Sequence, residues 1–418
     1  MRTPVSREDS PLSSTDYDIL IAGGGMVGAA IACALSGNRL RIGVVERQSP
    51  LLEWPRDEID LRVSAINHAS QNLLENIGAW DAIRERGIQP YREMRVWDQL
   101  RLGEIHFDSA SIGEPDLGHI IQNRTIQASL WERMQQHADI ELLTPACITQ
   151  MDQEPEALSL LLDDGRRVRC KLAIAADGAM SRLRDMAGIV VDVHEFRQYA
   201  VVATVRTPDG HHETAWQRFL HNGPLAFLPV SPTACSIVWS TTEQESQELL
   251  ELESDAFCER LYAASEGRLG SLKCLPERAR FPLRSQHARS YLAERLVLAG
   301  DAAHQIHPLA GQGVNLGFRD AAVLAEVILA AHKAGEPWYA RPVLRRYERA
   351  RRGDNQLTRK SMEAFNSLFS NDFPPMRLVR NLGLRTADRS HIAKQFFMQQ
   401  ALGTRMDVPP LCRKRLAG

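Results

Sequence analysis

The residues best placed to do chemistry begin with Gly23-Gly24-Gly25-Met26-Val27-Gly28, between an apolar run, Tyr17–Ala22, and a small-residue stretch of Ala29, Ala30, Ala32, Cys33 and Ala34. The spacing is G-x-G-x-x-G, set between a predicted strand and a predicted helix. A second predicted strand, Arg41–Val45, ends on Glu46, 18 residues after Gly28. Each part has a task in holding a dinucleotide. Gly23 permits the tight turn, Gly25 lets a pyrophosphate approach the backbone, and Gly28 lets helix and strand pack closely. Free N–H groups and the positive end of the helix dipole then meet the phosphates. Glu46 is placed to accept hydrogen bonds from a ribose and to repel a 2′-phosphate, so NAD or FAD fits better than NADP. The full strand–loop–helix–strand–acid pattern favours this reading over an ordinary Gly-rich turn.

Two further stretches have a similar build. Leu296-Val297-Leu298-Ala299 reads as a buried strand that stops at Gly300-Asp301. A loop with Pro308, Gly311, Gln312 and Gly313 follows, and Val314–His332, including Asn315 and Gly317, has helical period. Such a loop before a helix N-terminus suits a phosphorylated cofactor without saying which. Lys171–Ala176 forms another predicted strand, ending in Asp177-Gly178 before a helix with Arg182 and Arg184. That pattern is short, and many strand-to-helix turns share it. Arg62 precedes a predicted helix, Ala65–Ile77, with Ser64 as its N-cap. It could reach a phosphate or a flavin edge, or stand as a surface arginine at a helix start.

The elements that must position these residues suggest an α/β chain with a second, antiparallel layer. Residues 141–170 read as hairpins with Asp164-Gly165 as a turn. Tyr199–Arg206, Thr214–Leu220, Leu225–Val230 and Cys235–Ser240 are β-rich without intervening helices, which predicts an antiparallel sheet. Trp216, Phe219, Phe227 and Trp239 could line an apolar pocket there, or simply fill the core of that sheet. Glu243–Ala264 is helical by period, Phe281-Pro282-Leu283 returns as a strand, and Pro342–Phe369, Pro375–Leu384 and Ile392–Leu402 read as helices. Arg341, Arg345, Arg346, Arg349, Arg351 and Arg352 stand against Glu348 alone, a face for an anionic partner or membrane headgroups, or a solvated helix face.

Composition bounds the rest. The chain has 418 residues, 44% apolar and 24% charged, with a net charge of −2. That is ordinary for a large globular enzyme and gives no support for nucleic-acid binding. Seven scattered cysteines without a C-x-x-C suit reduced thiols in a cytoplasmic protein. Residues 1–16 read as a polar, flexible tail, and no uncharged apolar run is long enough to span a bilayer. His304 and His307 lack further ligands, so no metal site is expected. No G-x-S-x-G nucleophile signature appears. Nor does a second G-x-G-x-x-G, so a nicotinamide donor would have to bind without its own Rossmann domain.

Taken in order, Gly23–Gly28 with Glu46, Asp177-Gly178 and Gly300-Asp301 resemble the single-component aromatic flavin monooxygenases of the p-hydroxybenzoate hydroxylase fold. HPLAGQGVNLGFRD, His307–Asp320, is similar to a signature of the ubiquinone-biosynthesis hydroxylases. Leu61–Trp80, Leu225–Ser240 and Phe281–Tyr291 extend that likeness over nearly the whole chain. The resemblance is closest to the bacterial 2-polyprenylphenol hydroxylases, which act on ring carbon 5.

It implies a Rossmann-like FAD-binding domain of the GR2 type (residues 17–90, 119–190 and 285–335), an antiparallel substrate domain (91–118 and 191–284) and a helical C-terminal region (336–418). It further implies that Gly23, Gly25, Met26, Val27 and Gly28 hold the FAD pyrophosphate, Glu46 the adenosine ribose, and Asp301 the ribityl or pyrophosphate side. Gly311, Gln312, Gly313, Val314 and Asn315 would sit beside the flavin ring, with Pro308 near its face. Arg62 resembles a flavin-contacting arginine, and Asn123, beside Arg124, stands where many relatives carry an FAD-contacting arginine. Asp177-Gly178 resembles a motif linked to FAD and NAD(P)H. The implied reaction is hydroxylation of a polyprenylated phenol with NAD(P)H and dioxygen through a flavin hydroperoxide. The implied partners are a ubiquinone-biosynthesis protein complex and a lipid carrier or the inner-membrane surface, which the protein would contact peripherally.

Overall fold

A computed structural model describes residues 15–55, 58–99, 104–306, 313–369, 402–403 and 408–414. Short β-branched and leucine runs, buried on both faces, build a parallel core. Its strands lie in the order Leu296–Leu298, Arg167–Ala175, Tyr17–Ala22, Ile42–Val45 and Ile140–Leu143. Leu292–Ala293 adds an antiparallel edge. The expected hairpins follow as Ile148–Gln153, Leu158–Leu162 and Arg167–Ala175, with Gly165 at φ 88° in the last turn. Because the central strands run the same way, their carboxyl ends set Gly23, Glu46, Asp177 and Gly300-Asp301 along one rim. Ligands of open α/β sheets bind at such a rim. Helices Met26–Leu35, Asn123–Gln135 and Gly313–Lys333 cover this sheet and fill its core with alanine, leucine and isoleucine.

The second sheet has the order His304–Gln305, Lys273–Ala288, Val191–Arg206, Ala234–Thr241, Gly223–Ser231, Thr214–Leu220, Glu93–Asp98 and Glu104–Asp108. It is antiparallel except where Thr214–Leu220 pairs with Glu93–Asp98. One face is covered by helices Glu243–Glu251 and Ser254–Ala264. The other packs on a small sheet of Val63–Ile66, Gly118–Gln122 and Gln89–Tyr91 through Ala65, Tyr91, Leu117, Ile120, Ala215 and Leu228.

Several expectations change. Ser64 lies inside a strand, and the helix after it is His68–Asn76, capped by Asn67, whose side chain accepts from Ser70 N at 3.0 Å. Strand pairing with Gly118–Gln122 overrides the helical period at Ala65-Ile66. Phe281-Pro282-Leu283 belongs to a strand of 16 residues, Lys273–Ala288. Cys258 and Cys274 form a disulfide rather than remaining thiols, because the helix Ser254–Ala264 packs on that strand and brings their Cα atoms to 5.7 Å. Of the tail expected over 1–16, residues 1–14 lie outside the described set, and Asp16 already pairs with the backbone of Arg169. Pro375–Leu384 and nearly all of Ile392–Leu402 also lie outside it. Among the described residues, no helix is long and apolar enough to cross a membrane, and no side-chain cluster could hold a metal ion.

The arginine-rich segment divides within the long helix Arg341–Phe369. Arg341, Arg345 and Arg349 are exposed, Arg346 pairs with Glu336 at 2.6 Å, and Arg351 turns inward to Asp320. Asp320 is fully buried on helix Gly313–Lys333. It accepts from Gly300 N at 3.0 Å, Arg351 Nε at 2.8 Å and Asn355 Nδ2 at 3.1 Å, and pairs with the His304 imidazole. Burial pushes its carboxyl up, but His304 and Arg351 outweigh burial and hold it well below the usual carboxylate range. Asp320→Ala would take from the Arg351 guanidinium, 3% exposed, its fully buried carboxylate and leave it only the more exposed Asp354, at 2.6 Å, as an acidic partner. We expect a loss of about 3–5 kcal/mol in urea unfolding. Since the folded carboxyl is depressed, its stabilisation is present above the unfolded value of about 4 and is lost as pH falls further. The variant's stability should therefore lose part of the wild-type acid dependence.

Candidate active site

The dinucleotide loop is shaped by close backbone contact. Gly23 has φ 100°, and a Cβ there would lie 2.4 Å from Ala176 O on the neighbouring strand. A Cβ at Gly28 would stand 1.9 Å from Gly23 O, so helix and loop touch backbone to backbone. A Cβ at Gly25 would meet nothing within 4 Å. Space is thus left at the one position where a pyrophosphate must approach. Gly25 caps the helix Met26–Leu35 without a side-chain hydrogen bond, so the first N–H groups stay available to an anion. Glu46 Oε2 accepts from Gly24 N at 2.6 Å, and Gly24 O accepts from Trp131 Nε1 at 2.6 Å. Sequence spacing marked Glu46 but carried no signal for Trp131, which arrives from helix Asn123–Gln135.

Val27 joins this loop to the other two motifs. Its side chain lies against Gly300, and a Cβ at Gly317 would meet Val27 Cγ2 at 2.5 Å. Met26 and Val314 are partly buried against the same core. Asn315 bridges outward, Nδ2 donating to Ala65 O at 2.7 Å and Oδ1 accepting from Asn67 N at 3.2 Å. That fixes the N-terminus of helix Gly313–Lys333 to the small sheet, while a Cβ at Gly313 would meet open space. Pro308, Gly311 and Gln312 lie outside the described residues.

Asp301 faces this cleft. Its carboxylate has no hydrogen-bond partner among the described residues. Surrounding protein pushes its pKa up, opposed by His304 and Arg62. Asp177 Oδ2 accepts from Arg182 N at 2.8 Å, while Oδ1 is buried without a partner. Gly178, at φ 83°, borders open space. Gln286 ties the two turns together, its Nε2 donating to Ala179 O at 2.8 Å and Asp301 O at 3.1 Å. Arg184, read from sequence only as a basic residue near the turn, is 4% exposed and braces it by donating to Ala179 O at 3.0 Å and Ala302 O at 3.3 Å.

Arg62 is exposed and lies 5.9 Å from the Phe281 ring, between the two sheets and near enough to Asp301 to affect it. Asn123 begins its helix and accepts from Ser64 Oγ at 2.7 Å, its N–H donating to Arg62 O at 2.9 Å. Arg124 turns to Trp54, 4.7 Å from the ring, and to Glu58 at 2.5 Å. The four aromatic residues of the second sheet do not share a face. Trp216, Phe227 and Trp239 pack on the helix-covered side with Leu249, Phe257 and Leu261. Phe219 lies on the other side with Val96 and Ile105. Alternation in each strand is legible from sequence, but which face turns to the cleft is decided by the small sheet.

An open glycine approach, uncapped helix N–H groups, an acid at the second strand and two carboxylates with unpaired oxygens fit a bound FAD. Comparison with known proteins agrees. Residues 16–358 match the family described as FAD binding domain. The chain is 37% identical to 3-demethoxyubiquinol 3-hydroxylase of Escherichia coli, over 94% of this chain and 100% of that protein. It is also 37% identical to ubiquinone hydroxylase UbiL of Rhodospirillum rubrum, over 93% of this chain and 90% of that protein. The crystal structure of p-nitrophenol 4-monooxygenase PnpA from Pseudomonas putida has the same fold, with a TM-score of 0.76 at 18% identity over 93% of this chain and 99% of PnpA. The chain therefore belongs to the FAD-dependent aromatic hydroxylases of ubiquinone biosynthesis, within the FAD-binding-domain family.

Proposed function

We propose that this chain hydroxylates the ring of a polyprenylated phenol or quinol, using a reduced nicotinamide dinucleotide and dioxygen. The observation that carries the reading is the 37% identity to 3-demethoxyubiquinol 3-hydroxylase across that protein's whole length. It makes ring carbon 3 of a demethoxyquinol the first position to test. Ring carbon 5 of a 2-polyprenylphenol is the second reading, supported by the overall resemblance of the sequence to the bacterial 2-polyprenylphenol hydroxylases.

In this reading residues 17–90, 119–190 and 285–335 carry the flavin, and 91–118 and 191–284 face the substrate. Gly23, Gly25, Met26, Val27 and Gly28 hold the pyrophosphate and Glu46 the adenosine ribose. Asn123 and Arg62 border the flavin side, with Asp177-Gly178 at the edge open to the nicotinamide. Asp301 accepts from the hydroxyls of the ribityl chain. Pro308, Gly311, Gln312, Gly313, Val314 and Asn315 surround the ring system. Bound there, FAD supplies the redox chemistry, taking two electrons from the nicotinamide and passing one oxygen atom of dioxygen to the substrate ring, the other leaving as water. The N–H groups at Gly313–Asn315 favour negative charge on the reduced ring. Val202, Ala226 and Val238 give the facing sheet an apolar surface that excludes water while the substrate carbon is held in line. A prenyl tail requires delivery from a bilayer or a lipid-carrying pathway protein, and the exposed Arg341, Arg345 and Arg349 offer a basic surface for it.

Purified protein should carry bound flavin and oxidise NAD(P)H faster with a short-chain prenylated phenol or quinol, giving a product one oxygen heavier. A flavin-loaded protein that responds to no prenylated ring would refute the substrate reading. Two variants separate fold from cofactor. Gly25→Val should fold with a normal melting temperature yet emerge without flavin, because its side chain occupies the open approach. Gly28→Val should fail to fold, since its Cβ meets Gly23 O. Full flavin occupancy in Gly25→Val contradicts the loop assignment.

Asp301→Ala should weaken FAD binding to the apoprotein by about 1.5–3 kcal/mol, the worth of a charge-assisted hydrogen bond. The free carboxyl titrates above its ordinary value, and hydroxyl donors favour its ionised form. Affinity measured by fluorescence should therefore fall as pH drops through that raised value, and Asp301→Asn should abolish this dependence.

A further inference from the structure

We propose that the side-chain amide of Gln217 hydrogen-bonds the oxygen substituents of the substrate ring and so selects which carbon is presented for hydroxylation. This rests on the hydroxylase reading above. Gln217 lies on strand Thr214–Leu220 and is 6% exposed, yet its amide has no hydrogen-bond partner among the described residues. Its neighbour Arg218 points to the helix-covered face, donating to Ala264 O at 2.6 Å and to Glu266 at 2.7 Å. Strand alternation therefore turns Gln217 to the opposite face.

Register partners extend from Gln217 in one row across five strands: Val96, Gln217, Ala226, Val238 and Val202. Gln217 is the single polar member. Val238 is only partly buried although its strand, Ala234–Thr241, has a hydrogen-bonded neighbour on each side, and it packs beside the small-sheet cluster, so this row borders the gap between the second sheet and the small sheet. Next along the same face, Ala200 pairs with Phe281, which lies under Arg62, and Arg62 in turn influences Asp301. The face is thus continuous with the cofactor cleft.

An amide held among apolar side chains without a protein partner keeps both its donor and its acceptor for what enters the space beside it. A phenol or quinol offers both halves of the match. Its hydroxyl donates to the amide oxygen, and a ring oxygen accepts from the amide nitrogen. Anchoring these oxygens fixes the rotation of the ring, and with it the carbon nearest the flavin.

The test uses FAD-loaded Gln217→Met, which keeps volume and removes only the amide. Because that amide is unpaired, flavin content should be unchanged and the melting temperature equal or higher. Binding of a short-chain prenylphenol, followed by flavin absorbance, should weaken by about tenfold, the value of one hydrogen bond. The wild type should prefer the phenol to its methyl ether, and the variant should lose that preference, yield less product per NAD(P)H and hydroxylate more than one ring carbon. If the variant binds and hydroxylates as wild type does, or only its melting temperature falls, the assignment of Gln217 is overturned while the hydroxylase reading stands. If the wild type itself does not respond to prenylated rings, both are overturned.

Discussion

Asp320 receives a backbone N–H, an imidazole, a guanidinium and an amide at one buried carboxylate, and these groups come from separate parts of the chain. Gly300 and His304 belong to the turn that presents Asp301, whereas Arg351 and Asn355 lie on the long helix Arg341–Phe369. Asp320 itself lies on the helix whose N-terminus faces the cleft. A charge removed from water at this depth is tolerable only with each partner in place. The penalty for leaving any one unmet makes the arrangement of turn and helices cooperative. The position of Asp301 at the cleft therefore depends on contacts made behind it, in a network that never meets a ligand.

The cleft side is governed by a steric rule. Gly23, Gly28, Gly300 and Gly317 meet backbone atoms or Val27 at distances that exclude a Cβ or force its neighbours aside, while Gly25, Gly178 and Gly313 border open space. The first group lets strands, loop and helix touch. The second leaves room where a ligand comes close. One residue type serves two opposite purposes, and only the three-dimensional neighbours tell them apart. Spacing alone identified Gly23, Gly25 and Gly28 because their motif recurs with a fixed geometry, but Gly317 had no such marker.

The same distinction explains what could be read from the chain and what could not. Local period and turn chemistry were enough for the parallel strands Tyr17–Ala22, Ile42–Val45 and Leu296–Leu298, the hairpin at Gly165 and the helix after Gly313, since each has a one-dimensional signature. Ile140–Leu143, whose residues from 141 on read as part of the hairpins, instead pairs in parallel with Ile42–Val45. Val63–Ile66 was misassigned because its apolar residues satisfy a helical period as well, and pairing with Gly118–Gln122 decides the matter. Arg351 looked like one more surface arginine until the packing of its helix turned it to Asp320. Cys258 and Cys274 gave no hint of their bond, which depends on a helix crossing a strand. For the aromatic residues, alternation told which share a side within one strand, but not which side turns to the cleft.

That last point bears on how such an enzyme tells one ring from another. PnpA, whose name gives p-nitrophenol as its substrate, has this architecture at 18% identity, so the fold does not choose the ring. In the proposed reading the cradle does not choose it either, because its glycines and carboxylates are assigned to the cofactor. Selection must lie with side chains presented into the gap between the cofactor rim and the second sheet. On that face most positions are small and apolar, which gives shape but little orientation. An aromatic ring with oxygen substituents can rotate among similar apolar contacts at little cost, whereas a hydrogen bond in a space without water cannot be exchanged for another. One unpaired amide among valines and alanines can therefore discriminate between ring carbons better than any further apolar contact.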